Sequence, residues 1–209
     1  MELKRVVVTG MGIISPVGNS LDEAWQNAAN GVSGAQRIPE FEEAGLKVQI
    51  GAPVKNFDAE EFMGRREIRR TDRVTHFGLY ACQQAMDDSG IEVSQEDPYE
   101  FGVLMGTGIG GIQSLIDGIV GVLDKGPNSV SPLLLPMMLP DSPAGKIAIE
   151  LGLRGPNMSI STACATGNNC IGEAYEIVRR GSATMMMAGS SEAGMVQLAV
   201  ASLANMQAL

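Results

Sequence analysis

Asn157-Met-Ser-Ile-Ser-Thr-Ala-Cys-Ala-Thr-Gly-Asn-Asn169 is the stretch on which the reading of this chain turns. Before Cys164, the residues Met158, Ile160 and Thr162 alternate with Ser159 and Ser161, which is the period of a strand. From Ala165 to Arg180 the pattern is helical, and Gly181 supplies the stop. Cys164 therefore falls on the turn from strand to helix. A tight bend at that point aims the sulfur outward, and the amides and dipoles of the helix start favour negative charge beside it. This is the logic of a nucleophile elbow carried by sulfur instead of oxygen. Ala163, Ala165 and Gly167 leave room for a substrate or a second backbone to come close. The competing reading is a buried cysteine serving as a small apolar core residue.

Upstream of this unit the chain alternates strands and helices. Leu3 to Thr9 reads as an apolar strand leading into Gly10-Met-Gly12. Ser20-Leu-Asp-Glu23 is a capping box that opens a helix to Asn30, closed by Gly31. Val48 to Val54 is a short strand candidate, and Asp58 with Glu61 caps a helical turn. Arg65, Arg66, Arg69, Arg70 and Arg73 follow within nine residues. A long helix is expected from Thr71 to Asp88, ending at Ser89-Gly90. Phe101 to Met105 is a second, buried strand, then Gly106-Thr-Gly-Ile-Gly-Gly111 and a helix to Leu123. Lys125 to Pro136 reads as loop, and Asp141-Ser-Pro143 opens a helix to Leu151. Beyond the Cys164 unit, Thr184 to Ala188 is a third buried strand, and Met195 to Leu209 is apolar and weakly helical. Strands alternating with helices predict an α/β layered fold in one unit.

Composition narrows the function. The chain has 209 residues, enough for one domain with a substantial core. Aromatic residues make up only 4% while Gly numbers 26 and Met 13, so close packing must come from small and flexible side chains. A net charge of −9 argues against nucleic acid or acidic membrane as a general partner. Three cysteines, odd in number and without a CxxC pair, fit a reducing compartment. Cys164 and Cys170 lie on roughly opposite helix faces, so no metal site is expected of them. No N-terminal signal is visible after Met1-Glu-Leu-Lys-Arg, and no run reaches the roughly 20 apolar residues of a membrane span. These features together predict a soluble cytoplasmic protein.

Two other features compete with the cysteine. Gly106-x-Gly108-x-x-Gly111, after a strand and before a helix, has the letters of a dinucleotide fingerprint. That fingerprint requires a second strand ending in an acidic residue about 20 positions on. Asp124 has the spacing, but it ends a helix and precedes Lys-Gly-Pro. Glycines for tight turns and close layer packing are the better reading. The arginine cluster is ordinarily a solvated face. In so acidic a chain it also makes a local positive field suited to an acidic partner or a phosphate.

The Thr-Ala-Cys-Ala-Thr-Gly run resembles the active-site signature of the β-ketoacyl-[acyl carrier protein] synthases, most closely their type II bacterial form. Val-Val-Val-Thr-Gly-Met-Gly-Ile-Ile-Ser-Pro-Val-Gly18, Gly-Thr-Gly-Ile-Gly-Gly111, Gly-Leu-Arg-Gly-Pro-Asn157 and Met-Met-Ala-Gly-Ser-Ser-Glu192 agree with it, so the likeness covers essentially the whole chain. The resemblance implies one half of the thiolase-like fold, whose two pseudo-equivalent αβαβα halves form a five-layered core, usually in a homodimer. It implies decarboxylative condensation of an acyl thioester with a malonyl carrier protein, with no cofactor. Cys164 is then the acyl acceptor, its backbone amide half of the oxyanion hole. Ile109 corresponds to a residue lining the acyl tunnel. Leu134 corresponds to a position reaching the partner subunit's tunnel, where phenylalanine is common. Arg66, Arg69 and Arg70 fall where the family keeps basic residues that meet the acidic acyl carrier protein.

The chain also departs from that pattern. Family members run to about twice this length, and their two catalytic histidines and lysine lie beyond Leu209. The only histidine here is His76, placed inside a helix among Val74, Phe77 and Leu79, where a structural role is expected. Residues 1–209 thus read as an amino-terminal half-domain that needs a complementary carboxy-terminal half for turnover. Asn168, Asn169 and Cys170 differ from the commoner family residues behind the cysteine, and Gly189-Ser-Ser is a smaller departure. A non-catalytic carrier-protein or dimerisation module, and a polyketide-type ketosynthase half, are the alternative readings.

Overall fold

The computed structural model describes residues 3–209; Met1 and Glu2, at the start of the expected N-terminal segment, lie outside the described residues. In chain order the helices and strands are α1 (Leu21–Ala29), β1 (Gln36–Arg37), α2 (Pro39–Glu43), β2 (Ile50–Gly51), α3 (Ala59–Met63), α4 (Arg65–Ile68), α5 (Arg73–Ser89), β3 (Phe101–Gly106), α6 (Ile112–Lys125), α7 (Leu134–Met138), α8 (Ser142–Leu151), β4 (Asn157–Met158), α9 (Thr166–Arg179), β5 (Met185–Ser190) and α10 (Gln197–Asn205).

The core is built on β3. It lies at the centre of a parallel sheet in the order β4-β3-β5, with Phe101 opposite Met185 and Gly106 opposite Ser190. All six residues of β3 are buried, as a strand covered on both faces requires. The period of two then divides them. Phe101, Val103 and Met105 face a cluster with Leu79, Cys82 and Met86 of α5 and with Ala144 and Ile147 of α8. Leu104 faces the other way, into Cys170, Ala174 and Ile177 of α9. The result is an α/β/α sandwich, with α5 and α8 on one side of the sheet and α9 on the other.

Local chemistry sets the helix ends. Ser20 caps α1 through the Glu23 amide, and Asp58 caps α3 through the amides of Glu60 and Glu61. Asp72 does double duty. One carboxylate oxygen accepts from Val74 at the start of α5, and the other accepts from the amide and hydroxyl of Ser114 in α6. Gly90, at φ 64°, closes α5, as expected of a left-handed C-cap.

Several expectations need correction. Leu3 to Thr9 forms no strand: Val7 and Val8 are 59% and 77% exposed, and no described strand lies alongside to take their backbone bonds. The arm is instead pinned across α5. Met11 donates to Asp88 and Ile13 to Gln84, while Gly12 sits so close that an added Cβ would lie 2.0 Å from the Ala81 carbonyl. The strand at 48–54 shrinks to Ile50–Gly51. The expected loop at 125–136 ends in α7, and Asp141 stands at the start of α8 without a side-chain cap. In β5 only Met187 is fully buried, so this strand is half covered rather than buried.

The surface is larger than a closed domain of this mass requires. It measures 12282 Å², whereas a compact 22.0 kDa monomer exposes about 9,300 Å². Trp25, Leu123, Ile149 and Met206 are among the large apolar side chains that face solvent. Among the described residues no helix is long and apolar enough to cross a membrane.

Candidate active site

Three loops meet at the carboxyl ends of the parallel strands, the usual place for a ligand in an open α/β sheet. The first follows β4 and carries Cys164. The expected strand through Thr162 stops at Met158, because the chain then crosses the end of β3 instead of running beside it. The Ile160 carbonyl occupies the space where a Cβ on Gly106 would sit, 2.2 Å away. Ala163 follows at φ 51°, a left-handed conformation that a residue with a side chain adopts at a cost of about 1 kcal/mol or more. Residues Ala163–Ala165 form one 3₁₀ turn, and α9 begins at Thr166. Cys164 is exposed, so the buried-core reading of this cysteine is set aside.

The strained turn is held by Thr166, which is buried. Its hydroxyl donates to the Ala163 carbonyl at 2.8 Å and accepts from the Thr162 amide at 2.9 Å. The Thr162 hydroxyl in turn donates to Asn169 Oδ1 at 2.7 Å. Asn169 thus braces the elbow. Cys170 is fully buried behind it, beneath Gly106, with burial raising its thiol pKa above the ordinary value. Asn168 is exposed. Gly167 admits the Ser190 side chain, since a Cβ there would lie 2.7 Å from its Oγ.

The second loop is Thr107–Gly111, after β3. Its Thr107 hydroxyl donates to Glu192 at 3.0 Å, its Gly108 amide donates to the same carboxylate at 2.8 Å, and Gly110 donates back to Thr107 Oγ1. Glu192 belongs to the third loop, after β5. A carboxylate therefore fills the anion-accepting corner of the glycine loop, which is incompatible with a pyrophosphate there. Gly110 and Gly111 approach the Met138 and Met137 carbonyls, so these glycines serve close packing. Ile109 is half exposed at the lip of the loop, and its Cδ1 would lie 3.6 Å from a Cβ on Gly194.

The remaining residues singled out in the sequence lie elsewhere. Leu134 opens α7 and packs on Gly118 of α6. In the arginine cluster, Arg65 pairs with Glu60 and Arg70 reaches Glu67, while Arg73 stacks over the Phe77 ring at 4.7 Å. Arg66 and Arg69 are exposed and, among the described residues, make no ion pair. Glu67 also accepts from Lys146, and that hydrogen bond lowers its pKa. His76 is buried in α5, with Nε2 at 3.0 Å from the Thr71 hydroxyl. Burial lowers its pKa and favours the neutral ring, in keeping with a structural role. A cleft of about 430 Å³ runs between the N-terminal arm, α5 and the loop after β5; Glu192 is in its wall but Cys164 and Ile109 are not. Among the described residues no His, Cys, Asp and Glu cluster has the make-up of a metal site.

Thr166, Thr107 and Glu192 were not assigned roles from sequence. The threonine at the helix start carried the signal for Thr166, because a hydroxyl there competes for turn amides. Glu192 ends one of the family-like stretches, but nothing local marks its role, since its partners lie 84 and 85 positions away.

The three cysteines should separate sharply in reactivity. Burial pushes the Cys82 thiol up to about 12, so at pH 8 about one molecule in 10⁴ carries a thiolate there. Iodoacetamide at pH 8, followed by peptide mapping, is expected to modify Cys164 while leaving Cys82 and Cys170 unlabelled in the folded protein. Equal slow labelling of all three would contradict the elbow.

A parallel α/β sandwich with an exposed cysteine on a strained turn at its strand ends agrees with the match found for residues 3–209, which is to the family described as Beta-ketoacyl synthase, N-terminal domain. The chain belongs to that family. Among individual relatives, it is 43% identical to the 3-oxoacyl-[acyl-carrier-protein] synthase 2 of Synechocystis sp., covering 100% of this chain and 50% of that one. It is 40% identical to the protein of the same name from Staphylococcus aureus, covering 99% and 50%. The chain thus spans about half the length of the curated relatives it matches. Among solved structures, the ishigamide ketosynthase/chain length factor superposes with a TM-score of 0.90 at 25% identity, covering 99% of this chain and 52% of that one. A beta-ketoacyl synthase from Burkholderia phymatum gives 0.83 at 27% identity, covering 98% and 50%. A type II PKS acyl-carrier protein in complex with its ketosynthase gives 0.82 at 25% identity, covering 96% and 54%. These neighbours bear out the thiolase-like α/β layering expected from the sequence.

Proposed function

We propose that this chain is the nucleophile-bearing half-domain of a 3-oxoacyl-[acyl-carrier-protein] synthase that elongates acyl chains in fatty-acid synthesis. The observation that carries the reading is the exposed Cys164 on a turn strained at Ala163 and capped by Thr166, at the start of α9. A thiolate there attacks the carbonyl of an acyl carrier-protein thioester. The carrier's sulfur leaves, and the acyl group stays on Cys164 as a new thioester. Loss of carbon dioxide from a malonyl thioester then yields a carbanion that attacks this carbonyl. The new carbon–carbon bond forms as the Cys164 sulfur departs.

Charge development on the thioester oxygen needs donors placed in advance, and the Cys164 amide is the one this chain supplies. His76, the one histidine here, is buried in α5 against the Thr71 hydroxyl, so the histidines and lysine that the family uses for decarboxylation are taken to come from a carboxy-terminal half. Arg66, Arg69 and Arg70 are the docking face for the acidic carrier protein, and Leu134 lies at the dimer contact. The curated relatives at 40–43% identity carry the fatty-acid name, which favours this pathway over the polyketide one.

Incubating the purified chain with acyl and malonyl carrier-protein thioesters tests the division of labour. The expected result is no β-ketoacyl product from the chain alone, and product once a carboxy-terminal half from one of the curated relatives is supplied. Product from the chain alone would overturn the half-domain reading. Absence of product in both cases, with Cys164 unacylated, would favour the non-catalytic carrier-protein module.

A further inference from the structure

We infer that Glu192 is a positioning residue that sets how an acyl chain lies beside Cys164, by fixing the loop that carries Ile109. This rests on the reading of Cys164 as acyl acceptor and Ile109 as part of the acyl wall. The geometry is a relay. One Glu192 oxygen accepts from the Thr107 hydroxyl and the other from the Gly108 amide, and Thr107 Oγ1 accepts from Gly110. Both flanks of Ile109 are thereby tied to one carboxylate.

The same short segment touches the elbow. The Gly108 carbonyl accepts from the Ser161 hydroxyl at 3.4 Å, and a Cβ on Gly108 would lie 3.5 Å from the Ala163 Cα. Glu192 also sits two residues before Gly194, where an added Cβ would lie 3.6 Å from the Ile109 Cδ1. The carboxylate thus ties the loop after β3, which carries Ile109, to the loop after β5. Its chemistry is specific: both its partners donate, so the site calls for a group with two acceptor oxygens. Glutamine keeps the shape, but its N–H₂ is met only if the Thr107 hydroxyl turns round to accept, which reverses the relay. Thr107 is fully buried, which makes its hydroxyl the fixed middle of the relay.

The test compares the rates at which Cys164 is alkylated by iodoacetamide and by its N-octyl analogue, in the full chain and in Glu192→Gln and Thr107→Val. The octyl tail reports the apolar lip, and the small reagent reports the thiol alone. In both variants the octyl-to-plain rate ratio should change about fivefold or more, with the plain rate kept. Thr107→Ser, which retains the hydroxyl, should restore the ratio. An unchanged ratio in folded variants would overturn the inference. So would equal slowing of both reagents, which marks a general disturbance of the elbow. Failure of either reagent to select Cys164 in the parent chain would instead remove the reading on which the inference rests.

Discussion

Cys164→Ala is expected to abolish covalent acyl loading while leaving the fold intact. The side chain is exposed, so its truncation should move stability by no more than about 0.5 kcal/mol. The chemistry has no substitute. Burial pushes the Cys82 thiol up to about 12, and Cys170 is fully enclosed beneath Gly106 with its thiol raised as well. Neither can take over the thioester. In the assembled enzyme, loss of a covalent nucleophile should lower condensation by at least about 10³-fold. Intact mass after exposure to an acyl thioester reads the loading step directly. An acylated Cys164→Ala protein would mean that another group carries the intermediate.

Gly106→Ala should produce the largest effect on stability. A Cβ at this position would lie 2.2 Å from the Ile160 carbonyl, 2.5 Å from Thr166 Cγ2 and 2.9 Å from Cys170 Sγ. The first of these is backbone, which cannot rotate away. Relief requires moving the crossing segment, the buried threonine or α9 itself. A cost of about 3 kcal/mol follows, equivalent to a fall of roughly 8 °C in the thermal midpoint for a domain of this size. The same displacement separates Thr166 from Ala163, so Cys164 alkylation should slow with it. A midpoint within a degree of the parent would show that the glycine is not needed for the crossing.

The contrast between these two residues shows what a sequence makes legible. β3 could be read at once, because a run such as Phe101-Gly-Val-Leu-Met has one fate in a layered α/β protein. The caps at Ser20 and Asp58 were equally plain, since their partners lie within three residues. The Cys164 turn was visible as a change of period from two to 3.6. What stayed hidden was set by distant parts of the chain. The N-terminal valines have strand character, but no described strand lies beside them, and the arm is fixed by Asp88 and Gln84 instead. The strand before Cys164 ends early because Gly106, more than 50 positions away, lets the chain cross. The Glu192 clamp depends on two loops that only the folded sheet brings together. Local chemistry was readable, and long-range register was not.

The surface exceeds that of a compact monomer of this mass by about 3,000 Å², and Trp25, Leu123, Ile149 and Met206 are among the large apolar side chains that face solvent. We propose that a carboxy-terminal half covers part of this surface. Cys164, lying outside the described cleft, would then be enclosed by the second half.

The position of the acyl group decides whether Cys164 is the acceptor. The chain, assembled with a carboxy-terminal half from a curated relative, is mixed with an acyl carrier-protein thioester, digested, and mapped by tandem mass spectrometry. The acyl mass should appear on the peptide containing Cys164 and disappear on treatment with neutral hydroxylamine, which cleaves thioesters. An acyl group on Cys82, on Cys170, or on no cysteine at all would contradict it.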